Sequence, residues 1–168
     1  MMHIRLLESS DAEIYRDILL MSLKDSPEAF LTTYELEKEK SIEMIRNNLM
    51  PSDSQFTLGA FNKNNRLVGI VRFIREDNLK TNHKGSVIGM FVLPEWRGQG
   101  IGKALMKQLI KKAKKCDGLE RINLTVISNN DTAKNLYRSI GYEVYGSECN
   151  AIKTDGQYWD ADFMVLII

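Results

Sequence analysis

The amino-acid sequence predicts a single α/β domain: a mixed, mostly antiparallel sheet with flanking helices and one parallel strand pair in its middle. Three observations predict it. The apolar pattern is helical in the first third of the chain and changes to period two after Pro51. A strand–helix–strand unit follows, and such a unit implies a parallel pair. Hairpin signals lie on either side of that unit, which makes the outer neighbours antiparallel. At 168 residues the chain has a one-domain length, 1–168, and can bury a core without staples.

The elements follow in order. His3–Leu7 alternates weakly and reads as a first strand. Ser10-Asp11-Ala12-Glu13 has the spacing of a capping box, and Ile14, Ile18 and Leu19 behind it give a helix its apolar face. Ser26-Pro27-Glu28 marks a turn or a new helix start. Ile42, Ile45 and Leu49 recur at helical spacing, and Pro51 stops that helix. Gln55–Phe61 and Leu67–Ile74 are strands joined through Asn62-Lys63-Asn64-Asn65. Asp77–Lys84 is polar and reads as a flexible loop. Ser86–Leu93 is nearly continuously apolar, as expected of a strand buried on both faces. Gly100–Lys115 is an amphipathic helix with Ile101, Leu105, Leu109 and Ala113 at every fourth position, closed by Asp117-Gly118. Arg121–Ile127 is a strand and Asp131–Ile140 a helix ended by Gly141. Tyr142–Ile152 and Tyr158–Ile168 complete the sheet around the turn Thr154-Asp155-Gly156.

Bulk properties exclude several classes. The formal net charge is +1, where a dedicated nucleic-acid binder would be strongly basic. The run Lys111-Lys112-Ala113-Lys114-Lys115 closes a helix, where cations complement the negative dipole end. Cys116 and Cys149 are too few for a disulfide framework and lack ligand spacing. His3 and His83 are isolated, so no metal site is expected. No apolar run suits a signal peptide or a membrane span. The expectation is a soluble cytoplasmic protein with no nucleic-acid or membrane partner. Its oligomeric state is open, a homodimer included.

The informative stretch is Pro94-Glu95-Trp96-Arg97-Gly98-Gln99-Gly100-Ile101-Gly102-Lys103, between the apolar strand and the amphipathic helix. Three glycines at alternate positions remove Cβ atoms where backbone amides must approach a ligand. The helix start adds unpaired N–H groups and the positive dipole end, so an anion is favoured there. A Walker A loop ending at Gly102-Lys103 would need Gly at position 97 and Ser or Thr at 104, where Arg97 and Ala104 stand. A dinucleotide fingerprint starting at Gly98 would need Gly at 103, where Lys103 stands.

What fits is Arg97-x-x-Gly100-x-Gly102, which resembles the (Gln/Arg)-x-x-Gly-x-(Gly/Ala) signature of the GNAT superfamily of N-acetyltransferases. A second signature follows: Asn130-x-x-Ala133-x-x-Leu136-Tyr137-x-x-x-Gly141-Tyr142 resembles the family's Asn-x-x-Ala-x-x-Leu-Tyr-x-x-x-Gly-Phe, differing only in the last aromatic. Met90-Phe91-Val92-x-Pro94 looks like the family's strand into the loop. Together the signatures cover roughly a third of the chain, and the order of elements agrees throughout.

The resemblance implies a GNAT-like domain whose parallel strand pair lies at the cofactor site, with acetyl-CoA as co-substrate and no metal. It implies that the amides of Arg97, Gly98, Gln99, Gly100, Ile101 and Gly102 hold the pyrophosphate. Met90, Phe91 and Val92 would pair with the pantetheine arm as an added strand, the Val92 amide near the thioester carbonyl. Asn130 would hydrogen-bond the cofactor arm, although it is equally suited to cap a helix. Tyr137 would be the catalytic phenol beside the sulfur. Gly85, Gly89 and Gly141 read instead as turn, bulge and cap.

The implied activity is transfer of an acetyl group to a primary amine, small-molecule or peptide, by direct attack in a ternary complex. No carboxylate lies in Val87–Leu93 to act as base; Glu28, Glu35 or a water chain are the substitutes. Acceptor selection is expected from segments Ser22–Tyr34 and Glu148–Tyr158. The alternative is a non-catalytic acyl-CoA-binding or regulatory module on the same fold, which would have no need of a phenol at Tyr137.

Overall fold

In the computed structural model, which describes residues 2–168, one seven-stranded sheet runs through the molecule in the order β1-β2-β3-β4-β5-β7-β6. Strands β1 (His3–Leu6), β2 (Gln55–Phe61), β3 (Leu67–Arg75) and β4 (Lys84–Val92) are antiparallel neighbours. Strand β5 (Arg121–Ile127) joins β4 in parallel, and β7 (Gln157–Ile167) and β6 (Glu143–Thr154) close the far side as an antiparallel hairpin. Helices α1 (Ala12–Asp25), α2 (Tyr34–Glu39) and α3 (Ile42–Leu49) precede β2; α4 (Ile101–Ala113) and α5 (Asp131–Ile140) flank β5 in sequence. The mixed sheet and its single parallel pair are as the sequence predicts.

The core forms where α4 meets the sheet. Leu105, Met106, Leu109 and Ala113 are fully buried on that helix and share one core with Val68, Val71 and Phe73 of β3. The helical spacing of those apolar residues aims a single stripe at the sheet. On the solvent side, Lys112 leans over the Phe56 ring at 5.2 Å, its stem covering apolar surface.

Four local readings are corrected. The capping box does not use Ser10 and Glu13: the Asp11 carboxylate accepts the Glu8 amide at 2.8 Å and is held by Arg5 through two bonds, so α1 starts at Ala12. Helix α2, capped by Thr33, was not anticipated, because its Leu36 is exposed and the segment shows no apolar face. Segment Asp77–Lys84 is a loop only as far as His83, since Lys84 already opens β4; within it Asn78 Oδ1 accepts from the Lys80 amide and Asn82 C=O from Arg75. Strand β4 is not buried on both faces. Val87 and Phe91 are buried while Ile88 is 43% exposed, because one side of this strand lines a cleft.

Of the three glycines set apart from the ligand, Gly89 (φ +62°) lies where the β3–β4 register shifts, and Gly141 (φ +111°) caps α5. Gly85 is no turn residue. It pairs with Arg75 inside β4, where an added Cβ would strike the Phe73 ring.

The residue after Gly141 departs from the family pattern with a physical consequence. Tyr142 is 2% exposed and its hydroxyl is buried with no hydrogen-bond partner among the described residues. A buried hydroxyl without a partner costs desolvation and returns nothing. Tyr142→Phe is therefore expected to stabilise the fold, by about 1 kcal/mol. Urea denaturation of the two proteins side by side checks it, and a destabilised variant would mean the hydroxyl has a partner.

Candidate active site

The site arises because β4 and β5 part company. Their parallel ladder covers only Lys84–Ser86 against Arg121–Asn123, while β5 stays paired with β7 as far as Ile127. From Val87 onward the β5-facing edge of β4 is without a strand partner, and the bulge at Gly89 lies on that stretch. The wedge opens into a cleft of about 1410 Å³ between the α1–α2 region, the start of α4, α5 and the β6–β7 hairpin.

The ladder decides which backbone groups face the gap. The Leu93 amide donates to Val68 C=O at 2.9 Å, and Phe91 pairs with Ile70, so these odd-numbered residues face β3. Alternation then turns the polar groups of Met90 and Val92 the other way, toward the cleft. The Phe91 backbone is thus spent on β3, and what Phe91 offers the site is a buried ring with the Arg97 guanidinium 5.3 Å above it.

The glycine loop sits at the end of this strand. After the turn at Pro94–Trp96, Gly98 (φ +77°) and Gly100 (φ +78°) adopt a backbone that side chains rarely tolerate, and Gly100 caps α4. A Cβ on either would meet nothing within 4 Å. That is an open cradle at a helix N-terminus, suited to phosphate oxygens. Lys103, in the first turn of α4, also lines the cleft; it was overlooked in the sequence although it directly follows the last glycine.

Three of the predicted loop residues turn their side-chain positions away from the cradle, which leaves the expected contact to their backbone amides alone. A Cβ on Gly102 would come within 2.8 Å of Met90 Cε and 3.2 Å of Leu136 Cδ1, so this glycine lets α4 approach β4 and α5 and does not face a ligand through open space. Gln99 stands outside the cleft, in a second hollow beside Asn62 and Lys63. The Ile101 side chain is buried in the core, leaving only its backbone to the loop. Arg97 uses its side chain to brace the loop: Nε donates to Val92 C=O at 2.9 Å and Nη2 to Asp25 at 2.9 Å, which ties β4 to the end of α1.

Helix α5 brings the remaining residues. Asn130 caps it, Oδ1 accepting the Ala133 amide at 3.1 Å, so Nδ2 and the second lone pair of Oδ1 are left for a ligand. Tyr137 lines the cleft, 8% exposed, its hydroxyl without a hydrogen-bond partner among the described residues. Burial pushes its pKa up to about 12.

One anchor of α5 was invisible in the sequence. Asp162 on β7 accepts from Lys134 Nζ (2.6 Å), Ser128 Oγ (2.7 Å) and Ser147 Oγ (2.8 Å), and both members of the ion pair are nearly buried. These donors, Lys134 first, hold the Asp162 carboxyl down to about 2. The network joins the helix bearing Tyr137 to β6, to β7 and to the turn that follows β5. Asp162→Ala leaves the Lys134 ammonium without its carboxylate and should cost about 3 kcal/mol. The depressed pKa gives the sign of the pH dependence. The pair's stabilisation is present above the ordinary carboxylate value of about 4 and fades as pH falls toward 2. Thermal melts from neutral pH to pH 3 test it: the two proteins should differ most at neutral pH and converge in acid.

Of the candidate bases, Glu28 lines the cleft, while Glu35 is exposed and outside it. Glu37, not singled out in the sequence, is buried at the cleft wall, with Oε1 held by Thr32 and Lys40. Both predicted acceptor segments reach the cleft, through Ser26–Thr32 and through Glu148, Ala151 and Ile152.

With this geometry in place, the comparisons are decisive. The family model described as "Acetyltransferase (GNAT) family" matches residues 17–142, most of the chain. The chain belongs to the GNAT acetyltransferase family. Over 79 residues it is 30% identical to the L-amino acid N-acetyltransferase AaaT of Escherichia coli K12, a match covering 47% of this chain. It spans about half the length, 49%, of that relative. A GNAT-family acetyltransferase from Streptococcus pneumoniae superimposes with a TM-score of 0.86 at 26% identity, covering 100% of both chains. The acetyltransferase yncA of Salmonella typhimurium, solved with its cofactor acetyl-CoA, shares the fold at TM-score 0.81 and 18% identity, covering 99% of this chain and 94% of that one. That relative holds acetyl-CoA, and in this chain the open cradle at Gly98 and Gly100 is of the kind that receives phosphate oxygens. Among the described residues no helix is long and apolar enough to cross a membrane, and no cluster of three or more His, Cys, Asp or Glu could hold a metal ion.

Proposed function

We propose that this GNAT-family chain acetylates a primary amine, small-molecule or peptide, by direct attack within a ternary complex. The observation that carries the reading is the parting of β4 and β5. It leaves the Val92 amide free toward the same cleft that the Gly98–Gly100 loop and the Tyr137 hydroxyl line. Acetyl-CoA would supply an activated thioester carbonyl to that cleft.

The chain's own groups then have distinct tasks. Amides at Gly98 to Gly102 and the Lys103 ammonium hold the phosphates. Backbone groups of Met90 and Val92 align the arm, and the Val92 N–H donates to the carbonyl oxygen as it gains negative charge. The neutral amine forms the new N–C bond, the C–S bond breaks, the amine loses a proton to solvent or to a cleft carboxylate, and the sulfur leaves as the thiolate, which takes its proton from solvent. Tyr137 donates its hydrogen bond to that sulfur. With a pKa pushed to about 12, the phenol is a weaker acid than a thiol of about 8.5. Its contribution is therefore a hydrogen bond to the departing thiolate rather than complete proton delivery.

An unpartnered phenol in the cleft favours catalysis over an acyl-CoA-binding module, which would gain nothing from it. A cytoplasmic setting agrees with the two free cysteines, Cys116 and Cys149. Initial velocities with both substrates varied test the direct attack. Intersecting double-reciprocal lines are expected, with Cys116 and Cys149 replaceable by alanine at little cost. Parallel lines, or an acetylated enzyme detected by intact mass without acceptor, would replace the ternary complex by a covalent route.

A further inference from the structure

Away from the loop, the cleft floor holds a cation that the acetyl transfer described above does not use. Arg72 of β3 lines the cleft where α1 and α3 cover the sheet. Its guanidinium is fixed by neutral acceptors alone: Nη1 donates to Asn48 C=O and Thr57 Oγ1, both at 3.0 Å, and Nη2 to Gln55 Oε1 at 3.4 Å. No carboxylate lies within 4 Å of it among the described residues, and Nε has no partner there. Of the other cations that line the cleft, Lys40 is paired with Glu37 and Arg97 with Asp25, while Lys103 stands at the glycine loop. Nε and the second hydrogen of Nη2 are thus left for a ligand, and in a guanidinium these two nitrogens form the fork geometry that receives a planar oxyanion through two parallel bonds. Tyr15, whose buried phenol feels both Arg72 and Glu37, lines the same end of the cleft.

The register sets how far this group stands from the chemistry. Arg72 pairs with Ile88, four positions before Val92 on β4, and leans toward β2. At about 3.3 Å per residue its guanidinium is roughly 10 Å or more from the Val92 amide.

We propose that the amine acceptor carries a carboxylate remote from its reacting nitrogen, and that Arg72 is the specificity residue that binds it. This rests on the acetyltransferase reading. One uncompensated cation with Glu37 nearby matches a single negative charge, which favours carboxylate over a phosphate dianion. The separation disfavours acceptors whose amine and carboxylate share one carbon.

The test uses the full chain saturated with coenzyme A, so that binding is read without turnover. Titration calorimetry compares glycine, γ-aminobutyrate, ε-aminocaproate and glycylglycine with their carboxamides, and aminoethylphosphonate as the phosphate-like arm. The longer acids should bind at least about tenfold tighter than their amides, a preference absent for glycine. Arg72→Gln should erase the preference by weakening the acids alone. Arg72→Lys, which keeps the charge and guards against a folding defect, should retain part of it. Equal binding of acids and amides, a preference that survives Arg72→Gln, or tighter phosphonate binding would each overturn the proposal. Failure to bind coenzyme A at all would instead reject the acetyltransferase reading beneath it.

Discussion

Gly100→Val is expected to weaken coenzyme A binding by at least about 100-fold, equivalent to about 2.7 kcal/mol. The position combines a φ of +78° with empty space beyond its missing Cβ, at the N-terminus of α4. Two causes act on a valine there. Its backbone is strained in the left-handed region, and its side chain occupies the cradle that phosphate oxygens need. Gly100→Asn separates them, since asparagine tolerates that backbone while still filling the space. Both variants should lose affinity, with Gly100→Asn keeping parental thermal stability. Gly102→Val should behave differently, because its side chain would push into Met90 and Leu136 and loosen the packing of α4 itself. Calorimetric titration beside thermal melting resolves all three. Unchanged affinity in Gly100→Asn would remove the pyrophosphate from this loop.

Tyr137→Phe is expected to lower kcat by roughly 10² to 10³, with coenzyme A affinity nearly unchanged. The substitution keeps the buried ring and removes a hydroxyl that makes no hydrogen bond among the described residues, so folding should lose little. The deficit should appear equally in kcat and kcat/KM, as for an interaction made only in the transition state. It should shrink for an acyl donor with a more acidic thiol, which leaves without help. The raised pKa adds a signature. A phenol titrating at about 12 stays protonated across the working range, so parental activity should rise as the acceptor amine deprotonates and show no fall below pH 10. Full turnover in Tyr137→Phe would make Tyr137 a packing residue.

The sequence carried the parts of this site that depend on local chemistry. Glycines flanking a helix start, an apolar stripe at every fourth residue and a hairpin turn each act over a few residues, and so α4, its loop and the strand order could be read directly. What escaped depends on partners brought together by folding. Asp162 and Lys134 form their ion pair between a strand and a helix far apart in the chain, and neither stands out in sequence. Arg72 reads as one polar residue in an alternating strand until α3 and β2 supply its acceptors. Glu37 is charged yet buried, on a helix too short and too polar to announce itself. Gly102 reads as a ligand contact because it belongs to the same glycine signature; only the packing of Met90 and Leu136 against it shows what the missing side chain permits.

The reaction itself can be tested in one assay. Acetyl-CoA and a panel of primary amines are incubated with the protein, and thiol release is followed while acetylated product is identified by mass. The account predicts thiol release that requires an amine and equals the amount of N-acetylated acceptor formed. Tight binding of acetyl-CoA without acetylation of any amine in the panel would contradict it and leave a binding module in its place.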